Sequence, residues 1–117
     1  MGFLTTHVLD TANGEPARGL RLKLFRISQG ILELVNEQST NSDGRCDHPI
    51  AAEDKFVSGT YQIEFHVGDY FKAKGINTDD PAFLDVVPIR FGIASTQDHY
   101  HVPLLVSPYG YSTYRGS

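Results

Sequence analysis

Histidines and one arginine are the residues whose types could do chemistry in this chain. His7 lies in the Thr-rich stretch Leu4-Thr5-Thr6-His7, and His99 and His101 flank Tyr100. An imidazole with its ordinary pKa of about 6.5 accepts a proton at neutral pH and returns it without a large driving-force penalty. Arg45 carries a planar, always-charged fork of donors, suited to holding oxygen-rich groups and favouring negative charge as it develops. Two imidazoles at i and i+2 of a strand share one face, where they could ligate zinc. Without a recognisable third ligand nearby, no metal is expected.

Each residue also has a plainer reading. A lone His7 is often solvent-exposed or simply hydrogen-bonded, and His48 and His66 read as surface residues. Arg45, Arg90 and Arg115 are solvated arginines by type alone, and Arg90 otherwise suits a structural ion pair. Cys46 could be a reactive thiol, because the neighbouring Arg45 favours a thiolate. A small packed residue is the expectation there. Tyr109 and Tyr111 read as packing residues that anchor the last turn.

The elements that must position these groups are short strands. Leu20, Leu22 and Leu24 alternate with Arg21, Lys23 and Phe25, and Tyr61, Ile63 and Phe65 alternate with Gln62, Glu64 and His66. Both runs have the two-residue period of a strand with one face inward. Between them Thr40-Asn41-Ser42-Asp43-Gly44 is a turn cluster, and Arg45 follows it directly. Asp69 to Gly75 has an acid early, two lysines late and a stopping glycine, which predicts one short helix. At about two turns it is marginal alone, so Tyr70 and Phe71 must pack against a sheet. Strands resume from Asp85 to Ile93, where Pro88 implies an edge or a bulge. From Asp98 to Val106, Tyr100, Val102, Leu104 and Val106 form a core face, with His99, His101, Pro103 and Leu105 opposite. After the turn at Ser107 to Gly110, Ser112 and Tyr114 lie together on one side of the final strand. Apolar Pro103 and Leu105 on an outer face suggest that a partner covers them.

Composition bounds the rest. At 117 residues one all-β domain, 1–117, is expected, large enough to fold on its own core. A single cysteine allows no intrachain disulfide. The amino terminus lacks the pattern of a signal peptide and no segment approaches a membrane span, so a soluble cytoplasmic protein is expected. The net charge is −4, and the scattered basic residues argue against a nucleic-acid or membrane partner.

Four stretches resemble the signature of the transthyretin-related 5-hydroxyisourate hydrolases: Leu4 to Asp10, Gly44-Arg45-Cys46, Val87 to Phe91, and His99 to Ser117 with its closing Tyr-Arg-Gly-Ser. The resemblance covers nearly the whole chain. It is least specific from Gly14 to Lys55, outside the Arg45 turn, and from Ile76 to Ala82.

The resemblance implies a transthyretin-like β-sandwich of two four-stranded sheets with one short helix, assembled as a homotetramer, a dimer of dimers with active sites in a channel between facing dimers. It implies hydrolysis of 5-hydroxyisourate, the product of urate oxidation, to 2-oxo-4-hydroxy-4-carboxy-5-ureidoimidazoline without metal or organic cofactor. The family's catalytic histidines match His7 and His101, its arginine matches Arg45 and its tail tyrosine matches Tyr114. Ser112 and Tyr114 would orient the ring, and Ser117 would bring a terminal carboxylate within reach. The rival is a ligand carrier, because hormone-carrying transthyretins share the fold. In those carriers lysine, glutamate and threonine take the places of His7, Arg45 and His101.

Overall fold

The computed structural model describes residues 1–76 and 79–116. In chain order the elements are β1 (Phe3–Asp10), β2 (Glu15–Pro16), β3 (Arg21–Ser28), β4 (Ile31–Ser39), β5 (Ala51–Ala52), a 3-10 turn at Glu53–Lys55, β6 (Gly59–His66), α1 (Val67–Lys74), β7 (Val86–Ile93), β8 (Tyr100–Ser107) and β9 (Gly110–Thr113). One sheet has the order β4-β3-β6-β7 and is antiparallel throughout. The other has the path β2-β1-β8-β9, with β5 paired to the start of β1. Each sheet thus has a four-strand path, and one carries an additional two-residue strand.

The apolar parities read from the sequence form the layer between the sheets. Tyr61, Ile63 and Phe65 of β6 are fully buried, as are Leu22 and Leu24 of β3 or nearly so, and Tyr100, Val102, Leu104 and Val106 of β8 join the same cluster. Burying each such side chain stabilises the fold by roughly 1.5–3 kcal/mol. Pro88 stands on β7, the edge of its sheet, where its missing N–H leaves no central ladder bond unmade.

The helix forms where its terminal charges and glycine predict. Asp69 lies in the first turn, Lys72 and Lys74 in the last, and Gly75 ends it at φ 73°, in the left-handed region. Tyr70 and Phe71 are buried against the sandwich, and the Tyr70 hydroxyl donates to Asp10 Oδ2 at 2.8 Å. Three expectations are corrected. Tyr109 and Tyr111 are exposed rather than packed in the core, and Tyr109 lies against the exposed Phe83, with ring centroids 5.9 Å apart, and donates its hydroxyl to Asp79. His66 is half-buried at the helix start rather than on the surface. Pro103 is already buried within its own chain, so of the outer pair Leu105 alone keeps part of its surface.

Candidate functional site

The parallel pairing of β1 with β8 builds the site. Alternation buries Leu4, Thr6, Val8 and Asp10 and turns Thr5 and His7 to the other face of β1. The register sets Thr5 beside His101 and His7 beside Pro103, so Thr5, His7 and His101 share the outer face. His99 precedes β8 but keeps the same parity as His101.

Arg45 reaches this face through its turn. Asn41 Oδ1 accepts the N–H groups of Asp43 at 2.9 Å and Arg45 at 3.2 Å, while the Asn41 N–H donates to the Arg45 carbonyl at 2.7 Å. This is the local side-chain turn for which Asn is suited. Gly44 has φ 76°, and a Cβ there would stand 2.4 Å from the Val8 carbonyl oxygen. A glycine is therefore needed both for the backbone angle and for the close approach. Val8 N–H donates to Gly44 O at 2.8 Å, and Arg45 forms an isolated bridge with His7.

The result is an open cleft of about 310 Å³, lined by Thr5, Thr6, Arg45, Cys46, His48, His99 and His101. That volume is at the lower end of small-molecule sites, roughly 300–1,000 Å³. The lining holds three imidazoles and a guanidinium without a carboxylate, so its one fixed charge is positive on an acidic protein, which favours an anionic or oxygen-rich ligand. Among the described residues no carboxylate pairs with the Arg45 guanidinium.

Two imidazoles have their working nitrogens defined by their partners. His7 Nε2 lies 2.9 Å from the Asp43 carbonyl oxygen, and a carbonyl only accepts, so Nε2 carries a proton and the tautomer of the neutral ring has its lone pair on Nδ1. His101 Nδ1 lies 2.8 Å from Thr5 Oγ1, which leaves Nε2 uncommitted. Burial, followed by repulsion from Arg45, His99 and His7, holds the His101 pKa below 6.5, so its ring is neutral at pH 7. Cys46 is pushed up to about 11 by burial and by Asp47, which makes it a thiol rather than a reactive thiolate.

The tail closes against His101. Gly116 N–H donates to the His101 carbonyl at 2.7 Å, and a Cβ at Gly116 would stand 2.7 Å from His101 Cδ2. The other tail residues lie elsewhere. Ser112 is on exposed β9, and Tyr114 lines a second, largely apolar hollow with Arg90 and Arg115. Ser117 lies outside the described residues. Arg115 stacks over the Tyr100 ring at 4.1 Å, and Arg90 donates to the Gln62 side-chain oxygen, an amide where a carboxylate was expected.

Of the three residues singled out in the sequence, Arg45 and His101 line the cleft, while His7 lies on the same strand face, bridged to Arg45, outside the lining; Thr5 and His48 line it and were missed. The parity that joined His99 to His101 also joins Thr5 to His7, which is the signal that could have found Thr5. His48 had none. It follows the Arg45 turn, and its place in the cleft depends on how that loop runs along β1.

A profile of the HIUase/Transthyretin family matches residues 4–116. The chain is 58% identical to 5-hydroxyisourate hydrolase 2 of Rhizobium meliloti, over 99% of this chain and 97% of that one. It is 56% identical to 5-hydroxyisourate hydrolase of Pseudomonas aeruginosa, over 100% and 93%. Among solved structures, an (S)-allantoin synthase superposes with TM-score 0.93 at 51% identity, covering 99% of this chain and 44% of that longer one. A Klebsiella pneumoniae 5-hydroxyisourate hydrolase superposes with TM-score 0.83 at 34% identity, covering both chains in full. Sea bream transthyretin in complex with thyroxine superposes with TM-score 0.87 at 26% identity, covering 97% and 93%. The hormone complex superposes at least as well as the hydrolase, so backbone shape does not separate the two activities.

Proposed function

The chain belongs to the HIUase/Transthyretin family, and from that premise we propose that it hydrolyses 5-hydroxyisourate, opening a ring amide in purine breakdown without a metal or organic cofactor. The observation that carries this reading is the meeting, on one small cleft, of an imidazole held neutral and a guanidinium that no carboxylate of the described residues pairs. Full-length relatives named as 5-hydroxyisourate hydrolases support it.

Arg45 holds the oxygen-rich ring and stabilises the oxyanion that forms when water adds to the ring carbonyl. His101 Nε2 takes the proton of that water. Its depressed pKa keeps the ring in the neutral, accepting form at working pH. The carbon–nitrogen bond of the ring then breaks, and the departing nitrogen receives a proton. His7, anchored through Nε2–H on Asp43, offers Nδ1 as a second proton carrier or acceptor. Ser112, opposite Leu105 in the β8–β9 pair, and Tyr114, which lines a separate hollow of its own chain, orient the ring from a facing copy that covers the cleft, with the Ser117 carboxylate as a further contact.

That arrangement calls for a homotetramer, a dimer of dimers in which facing copies close an otherwise open cleft. We place the activity in this one domain, residues 1–117, and its action in the cytoplasm. Among the described residues no helix is long and apolar enough to cross a membrane.

A spectrophotometric assay with freshly made 5-hydroxyisourate tests the reading. The wild type should accelerate decay, and Arg45→Glu should lower kcat/KM by at least about 100-fold with an unchanged circular dichroism spectrum. A carrier would leave the spontaneous decay rate as it is, and that result would end the hydrolase reading.

A further inference from the structure

The Thr5 hydroxyl is a short bridge between two imidazoles. Its Oγ1 lies 2.9 Å from His99 Nε2 and 2.8 Å from His101 Nδ1. A hydroxyl carries one proton, so it cannot donate to both rings. If His101 Nδ1–H donates to Thr5, the Thr5 proton is available to His99 Nε2, and His101 Nε2 presents a lone pair. If His99 Nε2–H donates to Thr5, Thr5 donates to His101 Nδ1, and His101 Nε2 bears a proton. The first arrangement makes His101 a base and the second makes it a donor. They differ by the shift of protons along one chain of two hydrogen bonds.

His99 is suited to the outer end of that chain. Its side chain is exposed, where water can solvate a charge, and its ring packs on Phe3 with centroids 4.2 Å apart. His101 is less exposed and shares the cleft with the Arg45 guanidinium, so a positive charge is less favourable there than on His99.

We propose that Thr5 is a positioning residue of the hydrolytic reaction, relaying protons between His101 and His99 so that one imidazole serves as base and then as acid. The proposal rests on the hydrolase reading. As water adds to the carbonyl, its proton bonds to His101 Nε2, the Nδ1 proton passes to Thr5 Oγ1, and the former Thr5 proton bonds to His99 Nε2. One proton has left the water and one positive charge has arrived on His99. When the ring bond breaks, the chain runs backward. His99 returns its proton to Thr5, Thr5 returns one to His101 Nδ1, and His101 Nε2–H protonates the departing nitrogen.

Nitrogen NMR of ring-labelled histidine and steady-state kinetics, both on the full chain, test this. In the wild type His101 should carry its resting proton on Nδ1. Thr5→Ser keeps the hydroxyl and should keep that tautomer with kcat within about threefold. Thr5→Val keeps the volume, removes the relay, and should shift His101 toward the Nε2–H tautomer while lowering kcat by about 10- to 100-fold and changing KM less than twofold. His99→Phe keeps a ring on Phe3 without an accepting nitrogen and should show the same two changes, which guards against a folding defect in the valine variant. An unchanged His101 tautomer in both variants, or full kcat in both, overturns the relay. The resting tautomer is read without substrate, so this result is separable from any failure of the wild type to act on 5-hydroxyisourate.

Discussion

The two ends of β1 hold polar side chains under opposite conditions. At its close, Asp10 is 1% exposed and its carboxylate receives four hydrogen bonds, from the N–H groups of Ala12 and Asn13, the Asn13 side chain and the Tyr70 hydroxyl. Burial pushes this carboxyl up, and the bonds from Asn13, Tyr70 and Ala12 outweigh it and hold the pKa below 3.8. A buried charge must be satisfied, and this one joins the β1–β2 turn to the helix. Near the start of β1, Thr5 lines an open cleft where the Arg45 guanidinium and His101 Nε2 are not engaged by the described residues, and His7 shares its strand face. One strand therefore carries a satisfied network that holds the fold and an unsatisfied one that can meet a ligand.

Substitutions should separate the two ends, beginning with the largest effect. His101→Asn should lower kcat by about 100-fold or more with little change in melting temperature, and near-wild-type turnover would remove His101 from proton transfer. Gly116→Ala should come next. Its Cβ would meet the His101 ring at 2.7 Å, and displacing a reacting group by a fraction of an ångström should cost about tenfold or more in kcat. Full activity in this variant would show that the ring position is not critical.

The pH profile gives a smaller, directional effect. On the proposed mechanism the neutral form of His101 takes the proton, and its pKa lies below 6.5 because of burial, the Arg45 guanidinium and the neighbouring His99 and His7. Protonation is therefore delayed to more acid pH, and kcat/KM should hold as pH falls through 6.5 and decline only below it. A decline centred at or above 6.5 would contradict this assignment. At the other end of β1, Tyr70→Phe should leave kcat within twofold and remove about 1 kcal/mol of stability, read as a melting temperature lower by about 3–6 °C. A loss of activity without a loss of stability there would erase the contrast.

Which parts of the fold were legible follows from burial. In β6 and β8 one face meets the core, so the two-residue period is imposed on the sequence by packing, and Tyr61, Ile63 and Phe65 display it. In β4, Ile31, Leu32 and Leu34 are exposed on an edge strand, and the register with β3 shifts between Leu24 and Phe25. No buried face enforces a period there, and none can be read. The helix was legible through Asp69, Lys72, Lys74 and Gly75 because its ends are governed by local charge and backbone geometry.

The same division runs through the site. The chain's own order determined the alternation of each strand and the turn before Arg45, and marked His7 and His101 as candidate proton carriers, because these depend on residue type and on neighbours a few residues away. The tertiary structure alone decided that Thr5 lies against His99 and His101, that His48 shares their cleft, that Gly116 packs on the His101 ring, and that Tyr114 faces another hollow. Those meetings depend on the parallel register of β1 on β8. That register is set by side chains packing in the core behind the site, and no local pattern in either strand encodes it.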